Sequence, residues 1–186
     1  MNTYDFDKTI YVVDSSVTFY KYCLAKYPFA VLRTVPRTLC TALAYLARRT
    51  DMTHLKEQLF SFLRYIDADT AVKDFWAKKF DGVGEWYLAQ KKDDDIIISA
   101  SPEFLLEPVA KRLGVRLIGT RMDKKTGCID GLNCRDKEKV RRFHEQYPGA
   151  HTECFYSDSL SDTPMAEIAD RAFLVNRGRL SPWKTK

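Results

Sequence analysis

The chain has 186 residues, 45% of them hydrophobic and 30% charged, with a formal net charge of +5. That length suits one ordinary domain, or one domain carrying a small insertion, and it allows a substantial core. The composition excludes disordered and collagen-like classes, and the longest apolar run, Leu39 to Ala47, is too short to cross a bilayer.

No charged-apolar-small leader opens the sequence, so a cytoplasmic protein is expected. Residues 15 to 88 hold eleven Lys/Arg against seven Asp/Glu, which places +4 of the +5 in that segment. A solvated helical face accounts for such a run, and so does attraction of an anionic small molecule or membrane surface. The excess is too modest to imply nucleic acid. Five cysteines without a C-x-x-C pair, and three scattered histidines, give no basis for a disulfide framework or a zinc centre.

In chain order, Asn2 to Phe6 reads as a short strand and Thr9 to Val13 as its exit. From Ser15 to Phe80 the apolar residues repeat at helical spacing. Val17, Tyr20, Cys23 and Leu24 predict a first helix that Pro28 stops. A second is expected from about Arg37 to Arg49, a third capped by Thr53, and a fourth starting at Asp69 with Val72, Phe75 and Trp76 buried. The prediction is a four-helix bundle. Gly82 and Gly84 then suit a hinge or an ordinary turn.

Beyond them the pattern alternates. Strands are expected at Ile96 to Ile98, Val115 to Ile118, Cys154 to Tyr156 and Ala172 to Val175. Helices are expected at Glu103 to Leu113, Lys137 to Tyr147 and Asp162 to Ala169. Alternation of this kind implies an α/β fold with a parallel sheet, whose ligands collect at the carboxyl ends of the strands.

Those ends carry Asp5 and Asp7, then Ser99, the Lys139 region, and Asp158 with Asp162. Carboxylates converging in one crevice repel each other unless a cation is present, and an incomplete cage of hard oxygens suits Mg²⁺. A hydroxyl and an ammonium at the same edge add donors for an anion, the equipment of phosphoryl transfer. Singly, each residue is a turn, a helix cap or a solvent-facing side chain. Their order and spacing together are specific.

The motifs Asp5-Phe6-Asp7-Lys8-Thr9, Ile98-Ser99-Ala100-Ser101-Pro102, Asn133-Cys134-Arg135-Asp136-Lys137-Glu138-Lys139 and Tyr156-Ser157-Asp158-Ser159-Leu160-Ser161-Asp162 resemble those of the haloacid dehalogenase superfamily. The nearest likeness is to subfamily IB, the subgroup that includes phosphoserine phosphatase. The resemblance implies a Rossmann-like core (residues 1–14 and 86–186) with a small all-α helical-bundle cap of the C1 type inserted at 15–85. It implies that Asp5 is the nucleophile and Asp7 the general acid and base. Thr9, Ser99, Ala100 and Lys139 are implied to hold phosphate. Mg²⁺ is expected on Asp5, Asp7 and Asp158, with Asp162 supporting that shell. Lys8 and Asp136 depart from the usual pattern, and Asp136 is expected to cap the lysine helix.

Asp14 lies where phosphoserine phosphatases place a substrate-binding acid, although its surroundings look more like phosphatidylglycerophosphatase-type relatives. With Arg33 and Arg37 it is the expected substrate-binding set from the cap. The expected activity is Mg²⁺-dependent hydrolysis of a small phosphometabolite such as phosphoserine. A phospholipid-headgroup phosphatase and a phosphotransferase are the alternatives, contact with a membrane surface is left open, and oligomeric state is not legible.

Overall fold

The computed structural model describes residues 1–183. Among these, six strands form one sheet: β1 (Asn2–Tyr4), β2 (Ile96–Pro102), β3 (Arg116–Thr120), β4 (Thr152–Ser157), β5 (Ala169–Asn176) and β6 (Arg179–Pro182). Their order is β3-β2-β1-β4-β5-β6. All neighbours are parallel except β6, which turns back antiparallel on β5. The α/β class with a largely parallel sheet is as expected.

β2 is a continuous apolar run because it is covered on both faces. Ile97 points into a core shared with Tyr4, Phe19, Phe60, Phe75, Leu105 and Val109. Ile96 and Ile98 point the other way, toward Ile118, Phe143, Phe155 and Met165. That is the period of two a strand imposes. The first face carries α7 (Glu103–Leu113), and the second carries α8 (Lys137–Gln146) and α9 (Thr163–Glu167). α7 ends at Gly114, whose φ of +69° supplies the left-handed cap.

Between β1 and β2 run α1 (Ser15–Lys26), α2 (Pro28–Leu32), α3 (Val35–Leu46), α4 (Met52–Phe60), α5 (Ala68–Lys79) and α6 (Glu85–Gln90). The expected four helices are too few. Pro28 does not merely end α1. It opens α2, at a position where its missing N–H is not needed. The caps also sit slightly earlier than read. Asp51 rather than Thr53 caps α4, accepting from the His54 amide at 2.8 Å. Asp67 rather than Asp69 caps α5, accepting from Asp69 and Thr70. No helix among the described residues is long and apolar enough to cross a membrane.

The inserted helices do not hang free of the sheet. Trp76 of α5 donates its indole N–H to the Leu105 carbonyl of α7 at 2.6 Å. Phe19, Phe60 and Phe75 belong to the same apolar core as Tyr4 and Ile97. The incoming and outgoing linkers are tied to each other: Val12 donates to Gly82 at 3.0 Å and Gly84 donates to Ile10 at 2.8 Å.

Candidate active site

A row of residues crosses the sheet in register: Leu117, Ile97, Tyr4, Tyr156 and Phe173. The rings of Tyr4 and Tyr156 stack at 4.5 Å, and those of Tyr156 and Phe173 at 5.2 Å. This aromatic row fixes where β1 and β4 end. One residue later the Asp5 amide still donates to the Tyr156 carbonyl at 2.8 Å, and then the chain leaves the sheet. The order of strands reverses between β1 and β4, so Asp5 and Asp158 emerge at the switch point where open α/β sheets bind ligands.

Asp5, Asp7, Asp14, Ser99, Ala100, Lys139, Asp158 and Asp162 line one cavity of about 420 Å³. The structure thus brings most of the sequence-predicted residues together. Thr9 is different: it is buried, and its hydroxyl accepts from the Asp158 amide at 2.9 Å. Thr9, from which a phosphate contact is expected, braces the β4 exit and is not among the residues lining this cavity. Arg33 and Arg37 are also elsewhere, in a separate small cleft with Glu57, Arg64 and Tyr65.

Lys139 is the electrostatic centre. It is 2% exposed, and its ammonium donates to Asp5 Oδ1 at 2.6 Å and to Asp162 Oδ2 at 2.8 Å. Burial opposes its charge, but the two carboxylates more than compensate and hold its pKa above the ordinary lysine value. Burial pushes the Asp5 carboxyl up, and Lys139 pulls it back. Asp162 also accepts from the Ser157 hydroxyl at 2.7 Å. Burial likewise raises Asp158, with Lys8 opposing.

Asp7 is held from two sides. Its Oδ1 accepts from the Ser15 amide at 2.7 Å and its Oδ2 from the Ser101 hydroxyl at 2.5 Å. Burial raises its pKa first, and nearby Asp14 adds to the rise. Asp14 itself caps α1, accepting from the Val17 amide at 2.9 Å, and it also lines the cavity.

Sequence reasoning missed several groups. Ser101 contacts Asp7 and also sits 2.8 Å from the Ser16 hydroxyl and 3.1 Å from that of Ser15. Lys56, from α4, reaches across to the Ala100 carbonyl and, at 3.1 Å, to Asn133 Oδ1. Burial lowers its pKa to about 8, against the pull of Asp7 and Asp14. Arg135 lines the same cavity. A serine two residues after Ser99 was a usable signal; a lysine brought in by the fold was not.

Asp136 also departs from expectation. It makes no capping bond to α8, and its φ of 56° and ψ of −130° suit glycine better than aspartate. Lys8, with φ 58°, occupies the left-handed region too.

A family model for haloacid dehalogenase-like hydrolases matches residues 3–167. The chain belongs to that family, and it is a hydrolase. The matched residues run from β1 to the end of α9. The protein CicA of Caulobacter vibrioides is 32% identical over 195 residues, an alignment covering 95% of this chain and 86% of CicA. Among solved structures, one from Bordetella pertussis Tohama I, of unknown function, has a TM-score of 0.73 at 20% identity, covering 92% of this chain and 87% of its own. A phosphoserine phosphohydrolase-like protein from Francisella tularensis has a TM-score of 0.56 at 15% identity, covering 92% and 86%. At those identities the solved structures speak for the fold.

Proposed function

We propose that this hydrolase is a Mg²⁺-dependent phosphatase that cleaves a phosphomonoester through an aspartyl-phosphate on Asp5. The observation that carries the reading is the meeting of Asp5, Asp7, Ser99 and Lys139 in one cavity at the switch point. Asp5 Oδ attacks phosphorus, the bond to the leaving oxygen breaks, and Asp7 protonates that oxygen. Water then attacks the aspartyl-phosphate, giving its proton to Asp7, and inorganic phosphate leaves as the Asp5 carboxylate reforms. The Ser99 hydroxyl and the Lys139 ammonium hold the transferring oxygens. The raised pKa of Asp7 suits a group that must be protonated in the first step and free in the second.

Among the described residues, no three Asp, Glu, His or Cys side chains gather around one metal position. The Asp5 and Asp158 carboxylates and the Asp7 main-chain oxygen would hold the ion. An all-oxygen set with only two carboxylates, completed by water and substrate, fits Mg²⁺. When bound, the ion supplies neutralisation of the phosphate charge. Asp162, through Lys139, supports that edge.

Residues 15–85 act in this reading as a cap over a core formed by 1–14 and 86–186, and the leaving group rests against α4. Asp14, Lys56 and Arg135 all line the cavity and offer an acid for an ammonium and cations for a carboxylate. Phosphoserine matches that pairing and is the first choice. A phospholipid headgroup is favoured instead by the apolar wall of Met52, Leu55 and Leu59.

The test is phosphate release from a panel containing phosphoserine and phosphatidylglycerophosphate, with Asp5→Asn as control. One substrate should stand out, and the variant should lose at least about 10³-fold in turnover. Turnover that survives Asp5→Asn sinks the mechanism. Phosphate appearing on an added alcohol, with none released to water, establishes a phosphotransferase.

A further inference from the structure

From Ser15 to Thr50 the sequence contains six Lys/Arg and no Asp or Glu. The same stretch carries the least covered helix of the fold: none of the twelve residues of α3 is buried. Leu39, Leu43 and Leu46 are 59%, 66% and 76% exposed and recur at helical spacing along one side. Cys40, between them, is exposed as well. Phe29 and Leu32 of α2, the helix that precedes α3, are 88% and 56% exposed. Arg37 lies near one end of α3, and Arg48 and Arg49 follow the other. Among the described residues no carboxylate pairs with any of these three arginines.

We infer that α2 and α3 form a docking surface for an anionic membrane. An interfacial helix needs an apolar stripe to enter the headgroup boundary and flanking cations to meet lipid phosphates. Both are present, and the charge pattern selects among occupants. A second copy laid on this face by two-fold symmetry would set arginine against arginine, with no acid between residues 15 and 50 to answer them. An anionic bilayer answers them all.

The position also has meaning for the catalytic cavity, though the inference does not depend on the activity. α3 packs along α4, where Thr38 donates to the Gln58 carbonyl at 3.2 Å. α4 in turn presents Met52, Leu55, Lys56 and Leu59 to the cavity. The docked face is thus one helix removed from the proposed substrate.

The experiment is co-sedimentation of the full chain with phosphatidylcholine vesicles, with and without phosphatidylglycerol, at low and high salt. Binding should require phosphatidylglycerol and weaken at high salt. The double variant Leu43→Glu/Leu46→Glu should lose about tenfold or more in partitioning. Arg48→Gln/Arg49→Gln should lose roughly fivefold per arginine. Because all four side chains are exposed, unfolding midpoints should match the wild type, and turnover of a soluble phosphomonoester should not change. Wild-type protein that stays in the supernatant at low salt overturns the proposal. So does equal binding by the glutamate variant, or a dimer in sedimentation velocity that the same variant disperses.

Discussion

Ser101 shows how a small side chain can tune a larger one. Its hydroxyl donates to Asp7 at 2.5 Å and thereby favours the carboxylate form, against burial and Asp14. Removing it takes away one of the few influences that hold the Asp7 pKa down. In Ser101→Ala the pKa of Asp7 should therefore rise further. If Asp7 is the acid of the first step, it stays protonated to higher pH. The alkaline limb of the kcat/KM profile should then move upward, as a pH titration of initial rates would detect. An unmoved limb would mean that another group sets it. Lys139 is of another kind, a buried cation already committed to Asp5 and Asp162. Taking away one carboxylate leaves the other pair intact, so Asp5→Asn should fold. Replacing Lys139 leaves two buried carboxylates facing each other and is the more damaging change.

At the scale of elements, the linkers between sheet and inserted helices are close-packed. A Cβ built on Gly82 would lie 2.4 Å from the Tyr11 ring. That ring is buried, stacked on Phe6 at 5.6 Å and set edge-on to Trp76 at 5.2 Å. It has nowhere to go. Gly82→Ala should destabilise the fold by about 1–3 kcal/mol, read from a denaturant titration. An unshifted midpoint would show the linker to be looser than its packing.

Much of the element pattern was legible in the sequence, because Ile96-Ile97-Ile98 and Cys154-Phe155-Tyr156 are apolar runs that only a doubly covered sheet explains. α6 escaped because Glu85–Gln90 is less than two turns long. β6 escaped because its tight turn is Arg177-Gly178, with φ of 50° and 78°, and not the more familiar asparagine-glycine. The site divides in the same manner. Asp5, Asp7 and Asp158 follow strands that the sequence marks, Ser99 lies within one and Lys139 within a marked helix, whereas Lys56 comes from a helix whose neighbours only the tertiary fold decides.

For the molecule as a whole, the metal expectation gives a direct measurement. EDTA should abolish turnover reversibly, with Mg²⁺ restoring it, because Asp5 and Asp158 are two desolvated carboxylates lining one cavity and Lys139 pairs directly with the first of them. Activity that persists in EDTA would remove the ion from the reading. The shared core has a further bearing on motion. Trp76 and Phe75 pack into the same cluster as Leu105 and Val109 of α7, so an opening of residues 15–85 must be a small shear or a local displacement and not a free swing.

The placing of β1 at the centre of the sheet also dictates a sequence of events during synthesis. Its two neighbours reach it from far downstream: Thr3 is partnered by Ile96, and Asn2 by Cys154. Until the ribosome has delivered β4, the central strand has one flank bare. The helices from Ser15 onward can form from local contacts long before that. The nascent chain therefore passes through a long interval of helices without a closed sheet, with Tyr4 and Phe6 lacking part of their final cover. Closing the sheet around β1 is thus the late, non-local step of this fold.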